Sequence, residues 1–266
     1  MIKEGKKMDR RHFLLKSACF FSGSLVGLSL FPKARASECP NGLRNSHPRI
    51  ALIIDDIGFS RSRLMQFLEI DVPITFAVLP RLPKTISLAE IIQTHQHEIL
   101  LHQPMEPNDS SIDPGPGALY MDYKSQEIVD TLEKNISDIP YVTGVNNHMG
   151  SRFTSSQNKM NETLEVIKQN NLFFIDSLTT SHSKAYKTAQ KLHMAAGFRN
   201  IFLDYERGER AIVRQLCRLR QLAEKRGHAI GIGHPYNETV NAIKYFLEKS
   251  HEQKFSLVHV SKLIPC

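Results

Sequence analysis

The sequence predicts an α/β fold, a single (β/α) barrel of seven or eight parallel strands. Short apolar runs rich in β-branched residues alternate along the chain with segments of helical spacing. The runs lack internal polar alternation, which is typical of strands that helices cover on both faces of a parallel sheet. About 230 residues remain once an N-terminal leader is set aside, a length typical of one barrel.

The predicted elements follow one another in regular alternation. The predicted strands are the apolar runs at 50–54, 74–79, 98–101, 142–145, 172–175, 200–203, 229–232 and 255–260. The predicted helices are the segments at 61–69, 85–96, 125–137, 157–170, 182–196, 209–226 and 237–250. In the segment 209–226 the apolar residues recur at steps of three and four, as one buried helical face requires: Ile212, Leu216, Leu219 and Ala223.

The first 36 residues predict an export signal that is not part of the fold. Arg10 and Arg11 precede a weakly apolar stretch rich in Ser and Gly, so the segment resembles a twin-arginine signal. Cleavage after Ala36 leaves a linker at 37–48 and a barrel domain at 49–266. The alternative is an uncleaved anchor, although an apolar run of about 15 residues is shorter than the about 20 that span a bilayer. We expect export to the periplasm or cell surface of a bacterium.

Charge and cysteine content narrow the function further. Residues 1–36 carry eight of the 34 basic residues and two of the 27 acidic residues. The rest of the chain therefore has 26 basic and 25 acidic residues. A nearly neutral mature chain gives no reason to expect nucleic acid as a partner, and no later segment is apolar enough to span a membrane. No CxxC motif is present; Cys39 and Cys266 are the candidate disulfide pair, with Cys217 free.

One connection is too long for an ordinary loop of this fold. Residues 102–124 are rich in Pro, Gly and Asp. Because long loops in compact domains are usually functional or disordered, this segment is a candidate lid or substrate wall.

Polar residues follow directly after most of the predicted strands. Active sites of parallel barrels gather at the carboxyl ends of the strands, so these residues are expected to lie close together. The set comprises Asp55, Asp56, His102, Glu106, Asn146, Asn147, His148, Asp176, Asp204 and His234. His95 and His97, by contrast, precede a strand and are expected on the opposite face.

Two adjacent aspartates, Asp55 and Asp56, end the first predicted strand. Neighbouring carboxylates repel unless a positive group lies between or beside them, and a divalent metal ion is such a group. One aspartate can ligate the metal while the other acts as a base toward water. His102 and His148 are the obvious imidazole ligands, and an Asp-His-His set suits zinc or a similar first-row metal.

Six strings at successive strand ends resemble the divergent polysaccharide deacetylases, a branch of the carbohydrate esterase deacetylases. The strings are "LIIDDIG", "LLHQPMEP", "NNHMGS", "FFIDSLT", "IFLD" and "IGIGHP". The resemblance implies a distorted (β/α) barrel, a divalent metal that is usually zinc, and hydrolysis of an N-acetyl group on a sugar polymer. It also implies that Asp55 is the base, Asp56 a ligand and His234 the general acid.

The sequence departs from the ordinary pattern of these enzymes at two places. Ordinary members take two ligands from one His-x-x-x-His stretch, whereas this chain has His102 and Glu106 at that spacing, interrupted by proline. We expect His148 to supply the missing imidazole, with Glu106 as a weaker candidate ligand or substrate contact. The arginine that steadies the base in ordinary members is not evident, and Arg152 is a possible substitute.

The remaining polar residues have two interpretations each. Asp176 and Asp204 either line the cleft or cap the following helix, while Asn146 and Asn147 are expected to orient loops or sugar hydroxyls. The leading hypothesis is a secreted metal-dependent deacetylase of an acetylated cell-wall or surface polysaccharide. The alternatives are a non-catalytic carbohydrate-binding envelope protein on the same barrel and a glycoside hydrolase that pairs Asp56 with Asp176 or Asp204.

Overall fold

All strands of the computed structural model run parallel in one curled sheet, and the structure describes residues 47–250 and 254–264. The strands are β1 (Arg49–Ile57), β2 (Thr75–Val78), β3 (Glu98–Met105), β4 (Val142–Met149), β5 (Phe173–Asp176), β6 (Ala196–Phe198), β7 (Ile201–Phe202), β8 (His228–Gly233) and β9 (Ser256–Leu257). The helices are α1 (Arg61–Leu68), α2 (Thr85–Thr94), α3 (Ser125–Ser137), α4 (Gln157–Gln169), α5 (Ala185–Lys191), α6 (Glu209–Arg226) and α7 (Asn237–Glu248).

The sheet has the order β6-β5-β4-β3-β2-β1-β8-β7, and β9 adds to the start of β1. Its two edge strands, β6 and β7, are joined by only Arg199 and Asn200, which donate backbone hydrogen bonds to Asp176 (2.9 Å) and Ile230 (2.9 Å). The strands β6 and β7 do not pair with each other, so this two-residue connection closes the barrel between them. The predicted distorted (β/α) barrel is confirmed.

Alternation along the strands separates two apolar layers. In β1, Ala51 and Ile53 face the barrel interior, whereas Ile50, Leu52 and Ile54 pack outward with the helices. The interior also contains Val260 and Leu263, from a short 3-10 helix after β9. This segment fills the amino-terminal end of the barrel and leaves its carboxyl end for polar residues.

Local sequence signals explain where the helices begin and end. The hydroxyls of Ser60 and Ser156 cap α1 and α4 by accepting backbone N–H groups of the first turn. Helix α6 ends at Gly227, which has φ +85° and donates its N–H to Ala223 (2.7 Å), as a left-handed cap requires. The predicted bounds 125–137 and 209–226 are those observed.

Four predicted boundaries, the end of one helix and the ends of three strands, are wrong in a way that matters for the site. The predicted helix 182–196 ends at Lys191, and residues 196–198 form β6, a strand that the sequence did not predict. The reversal occurs around His193, which has φ +51°. In addition, β1, β3 and β4 continue three or four residues beyond the predicted ends, so their polar residues lie within the strands.

We predict that Gly144→Ala destabilises the barrel by about 1–3 kcal/mol, because overpacking a filled core forces neighbours to shift. A Cβ at position 144 would lie 2.6 Å from the ring of Phe173 on the adjacent strand. Urea unfolding followed by circular dichroism measures the change. Adding Phe173→Leu should recover part of the loss, and an unchanged unfolding midpoint in the single variant would contradict the packing argument.

Several predictions concern residues outside the described part of the chain. These are the export signal, most of the linker, and the proposed Cys39–Cys266 pair. Cys217 is half-buried and forms no disulfide within residues 47–250 and 254–264. Among the helices of those residues, none combines the length and the apolar character that a membrane span needs.

Candidate metal centre

A cavity of about 590 Å³ opens at the carboxyl ends of the strands. Its size is typical of small-ligand sites. The residues that line it are Asp55, Asp56, His102, Asn147, His148, Met149, Ser177, Leu178, Thr179, Arg199, Phe202, Tyr205, Ile232 and His234. The predicted grouping of polar residues from different strands is therefore observed at this end.

A β-bulge turns both aspartates of β1 toward this cavity. Between Ile54 and Ile57 the strand advances three residues while β2 advances two, so β1 holds one extra residue. Asp56 adopts the left-handed conformation there, with φ +57°. In a regular strand the side chains of neighbouring residues point to opposite faces, so the bulge is what lets Asp55 and Asp56 share one site.

Three potential ligand atoms converge in the cavity. Oδ1 of Asp56 lies 3.1 Å from Nε2 of His102 and 3.0 Å from Nδ1 of His148, and the two nitrogens are 3.1 Å apart. These residues form the one cluster of three or more potential metal ligands within the described residues. Asp56, His102 and His148 were the ligands predicted from the sequence.

Asn146 fixes the orientation of the first imidazole. Its amide nitrogen donates to Oδ1 of Asp55 (2.8 Å), so its amide oxygen accepts the Nδ1 proton of His102 (2.8 Å). This bond leaves the Nε2 lone pair of His102 facing Asp56 and His148. A hydrogen bond that sets the tautomer of a ligating histidine is a common second-layer feature of metal sites. Asn146 thus orients site residues rather than loops or sugar hydroxyls.

The donor set fits a divalent metal ion. Oδ1 of Asp56 is buried and has no hydrogen-bond partner, although Nε2 of His102 and Nδ1 of His148 lie 3.1 and 3.0 Å from it. A buried carboxylate oxygen without a donor is costly unless a cation satisfies it. One carboxylate and two imidazoles leave open positions, as in catalytic zinc sites.

Asp55 lies beside the three potential ligand atoms but is not one of the clustered ligand residues. Its Oδ2 is 3.7 Å from Nε2 of His102, and its side chain is almost fully buried. Burial raises the pKa of Asp55 above its ordinary value, although the charges of His102 and His234 act in the opposite direction. A buried carboxylate of raised pKa is a stronger base than an exposed one.

His234 lies near Oδ2, the second carboxylate oxygen of Asp56, and its ring is held in place by Asp204. Its Nδ1 is 2.9 Å from Oδ1 of Asp204, and its Nε2 is 3.9 Å from Oδ2 of Asp56. Burial lowers the pKa of His234, but the hydrogen bond and charge of Asp204 outweigh it and raise the pKa to about 9. Asp204 also accepts hydrogen bonds from the backbone of His234 and from Thr239, so it orients the imidazole.

Asp176 caps the following helix and does not line the cleft, the second of the two roles expected for it. Its carboxylate accepts hydrogen bonds from the backbone of Leu178 (2.9 Å), the hydroxyl of Ser183 (2.7 Å) and the backbone of Tyr186 (3.2 Å). It therefore organises the loop after β5 and the start of α5. Asn147 ties two strand ends together by accepting the N–H of Ser177 (2.8 Å).

Glu106 and Arg152 pair with each other outside the cavity, and neither occupies its predicted place. Arg152 donates to Oε1 of Glu106 (2.6 Å), and Oε2 accepts the N–H of Met121 (2.6 Å). Because β3 remains extended to Met105, Glu106 lies roughly 13 Å along the chain from His102, at about 3.3 Å per residue. His148 on β4 takes the place of a second ligand from this stretch.

Arg199 is the arginine that lines this cavity, and it was not predicted from the sequence. Its guanidinium donates to the carbonyls of Ser177 (2.6 Å) and Leu178 (2.8 Å) and lies 4.8 Å from the ring of Phe202. Arg199 follows β6, a strand that was not predicted and that begins where the predicted helix 182–196 was expected to end. Phe202 and Tyr205 of the cavity wall were also missed, since an aromatic residue near a short strand carries no distinct signal.

The long segment after β3 does not form the wall of this cavity. Residues 102–105 belong to β3, and the rest of the segment folds back so that Leu119 bridges to Met105. None of residues 106–124 lines the cavity; Ser177–Thr179 together with Arg199, Phe202 and Tyr205 provide this part of its wall. His95 and His97 line a different groove, at the amino-terminal end, as predicted.

Fold and site together place the chain among α/β-barrel proteins with a candidate metal centre at the carboxyl ends of the strands. A family model described as divergent polysaccharide deacetylase matches residues 52–264. The chain belongs to this family. The prediction made from the six strand-end strings is confirmed.

Three known proteins illustrate the similarity. The uncharacterized protein YibQ of Escherichia coli is 33% identical over 196 residues, which are 74% of this chain and 61% of YibQ. The crystal structure of the uncharacterized protein ATU2773 from Agrobacterium tumefaciens superposes with a TM-score of 0.78 at 26% identity, over 82% of this chain and 89% of that one. BA3943 from Bacillus anthracis, a CE4 family pseudoenzyme, gives 0.51 at 16% identity over 82% and 65%, which shows the fold alone.

Proposed function

We propose that this protein is a metal-dependent hydrolase that removes acetyl groups from a cell-wall or surface polysaccharide. The observation that carries the proposal is the convergence of Asp56, His102 and His148 around an unsatisfied buried carboxylate oxygen. Asp55 and His234 lie on either side of this cluster. The family is that of polysaccharide deacetylases, which supports an acetylated carbohydrate as the substrate.

Asp56, His102 and His148 would hold the ion, and zinc is our first choice because of the nitrogen-rich ligand set. A divalent ion at this position supplies Lewis-acid activation of water and of the acetyl carbonyl. Asp55 accepts the proton of the attacking water, since its pKa is raised by burial and its Oδ1 is held by Asn146.

His234 supplies the second proton transfer. With its pKa raised to about 9, the imidazole is protonated at neutral pH and can donate from Nε2 to the amine nitrogen as the C–N bond breaks. Asp204 holds the other ring nitrogen at 2.9 Å and keeps Nε2 directed into the cavity. One group accepts a proton and the other donates one, as acyl-transfer hydrolysis requires.

Specific residues of the site distinguish the proposed deacetylase from a glycoside hydrolase and from a carbohydrate-binding protein. A glycoside hydrolase needs a second carboxylate facing the sugar, but Asp176 and Asp204 direct their oxygens to loop and histidine partners. A non-catalytic carbohydrate-binding role is favoured by the loss of the His-x-x-x-His motif. The complete set of base, acid and three potential ligands argues for turnover.

Acetate release from N-acetylated oligosaccharides tests the proposal. We expect the zinc-loaded protein to release acetate, a chelator to stop the release, and added zinc to restore it. New reducing ends that persist with chelator would instead identify a glycoside hydrolase. Saccharide binding with no acetate release from chitin, peptidoglycan or uronic-acid oligosaccharides would identify a binding protein.

We predict that Asp204→Asn moves the alkaline limb of the pH profile of kcat/KM to lower pH. The hydrogen bond and charge of Asp204 contribute most to raising the pKa of His234 to about 9, ahead of the charges of Asp55 and Asp56, so removing that carboxylate lowers the pKa and the acid form is lost earlier as pH rises. The maximal rate at low pH should fall less than the rate at pH 8. An alkaline limb at the wild-type position would show that His234 is not the proton donor.

We also propose that the protein acts in the periplasm or at the cell surface. Arg10 and Arg11 before a weakly apolar stretch support this location. Replacing both by lysine should retain the precursor in the cytoplasm, since twin-arginine export depends on the pair. Periplasmic recovery of that variant at the wild-type level would contradict the proposal.

A further inference from the structure

A second cleft of about 120 Å³ lies next to the metal centre and shares Asp56 with it. Like the larger cavity, it combines aromatic rings with an arginine in its lining. The lining residues are Asp56, Ile57, Gly58, Phe59, Ser60, Arg63, Pro235 and Tyr236. Phe59 is 64% exposed, so its ring is accessible to a ligand in this cleft.

A row of rings connects this second cleft to the larger cavity across the proposed proton donor. His234 stacks on Tyr236 at 5.7 Å on one side and lies 5.4 Å from Phe202 on the other, and Phe202 lies 6.0 Å from Tyr205. Tyr205 is 84% exposed. The exposed ring of Tyr205 at one end of the row and that of Phe59 in the second cleft offer flat apolar surfaces to sugar rings.

Arginines accompany this row at both ends. Arg199 lies over Phe202 (4.8 Å), and Arg207 lies over Tyr236 (4.3 Å). Arg63 lines the second cleft directly. Lys84 adds a fourth positive charge nearby, since its amine donates to the carbonyl of Phe59 (3.2 Å).

None of these cations is neutralised by a carboxylate within the described residues. The ion pairs of that part of the chain include neither Arg63 nor Arg207, and Glu206, beside Arg207 in sequence, pairs with Arg214 instead. Asp56 is the one carboxylate in the lining of the second cleft, and it is directed at the two ligand histidines. The mature chain is close to neutral, so this concentration of unpaired positive charge is local.

We propose that the second cleft binds a carboxylate-bearing sugar residue next to the acetylated one, so that the substrate is an acidic glycan. Arg63 in the lining of the cleft, with Arg207 from its place over Tyr236, would bind the carboxylate, whose planar shape matches a guanidinium fork, while the exposed ring of Phe59 contacts the sugar ring. A singly charged carboxylate suits a cleft that shares a wall with Asp56 better than a doubly charged phosphate. This inference rests on the proposed function, because it assigns the residue beside the reacting sugar.

Binding of two oligosaccharides that differ only in charge tests the inference. The first is a heparosan hexasaccharide of alternating glucuronic acid and N-acetylglucosamine. The second is the same hexasaccharide after carbodiimide activation and borohydride reduction, which convert each carboxylate to an alcohol. The zinc-loaded Asp55→Asn protein is used in calorimetry so that neither ligand is consumed.

We expect the carboxylated form to bind about tenfold more tightly than the reduced form, with the ratio falling as salt increases. In the Arg63→Gln/Arg207→Gln variant the affinities for the carboxylated and the reduced form should differ by less than twofold. Arg218→Gln is the matched control, since Arg218 is exposed on α6 and lines neither cleft, and it should keep the ratio.

Equal affinity for the two forms, including no measurable binding of either, would overturn the inference. A preference that survives in the double arginine variant would overturn it as well. Acetate release by the wild-type protein is measured separately on both forms. Equal release from both overturns the acidic-glycan assignment and leaves the deacetylase intact, whereas charge-dependent binding without release from any substrate supports the cleft and contradicts the deacetylase.

Discussion

Asp56→Ala is expected to reduce acetate release by at least about 10³-fold, to the background of the assay. Asp56 supplies the oxygen on which His102 and His148 converge, at 3.1 and 3.0 Å, so its removal takes away one of three proposed ligands. Without the ion, the site loses both the activation of water and the polarisation of the carbonyl. The measurement is acetate release from an N-acetylated oligosaccharide at saturating zinc.

Glu106→Gln is the control for this variant. It removes a carboxylate that the sequence placed near the metal and that the structure places against Arg152 and Met121. Its rate should stay within about threefold of the wild type. A rate for Asp56→Ala close to that of Glu106→Gln would show that the Asp-His-His cluster is not the catalytic centre.

Asp55→Asn is expected to lower acetate release by about 10²–10⁴-fold while the metal is retained. The change keeps the shape of the side chain and its contact with Asn146, but removes the base that accepts the proton of the attacking water. The reduction should appear in kcat, with KM little changed, because the carboxylate acts on the reacting water rather than on the sugar.

Metal content distinguishes this role from a ligand role. If Asp55→Asn loses the ion together with activity, Asp55 is a ligand and the division of labour between the two aspartates is wrong. If both metal and rate are retained, another group is the base. Circular dichroism at both pH extremes of the assay shows whether the barrel itself is intact.

The fold was predictable because its signals are local. Buried strands without polar alternation and helical spacing between them determined the class, and the bounds of α3 and α6 were predicted correctly. The three potential ligands were also predictable, because a parallel barrel brings the ends of separate strands together. To predict Asp56, His102 and His148 it was enough to know that each follows an apolar run.

What was not predictable depends on tertiary structure. The strand β6 is only three residues long, Ala196–Phe198, too short for a strand pattern to show, and missing it hid Arg199. The bulge in β1 depends on pairing with β2, so the sequence could not show that both aspartates face one cavity. Asp176 and Asp204 follow strands in the same way, and only their hydrogen-bond partners reveal that one organises a loop and the other a histidine.

The metal content of the purified protein beside His148→Ala is the most direct test of the central claim that Asp56, His102 and His148 form a metal centre. Plasma mass spectrometry after mild dialysis should find about one equivalent of zinc or a similar metal in the wild type and less than about a tenth in the variant, since His148 supplies one of three ligands. Asp55→Asn, measured in parallel, should resemble the wild type. No metal in the wild type after reconstitution, or equal metal in His148→Ala, would contradict the account.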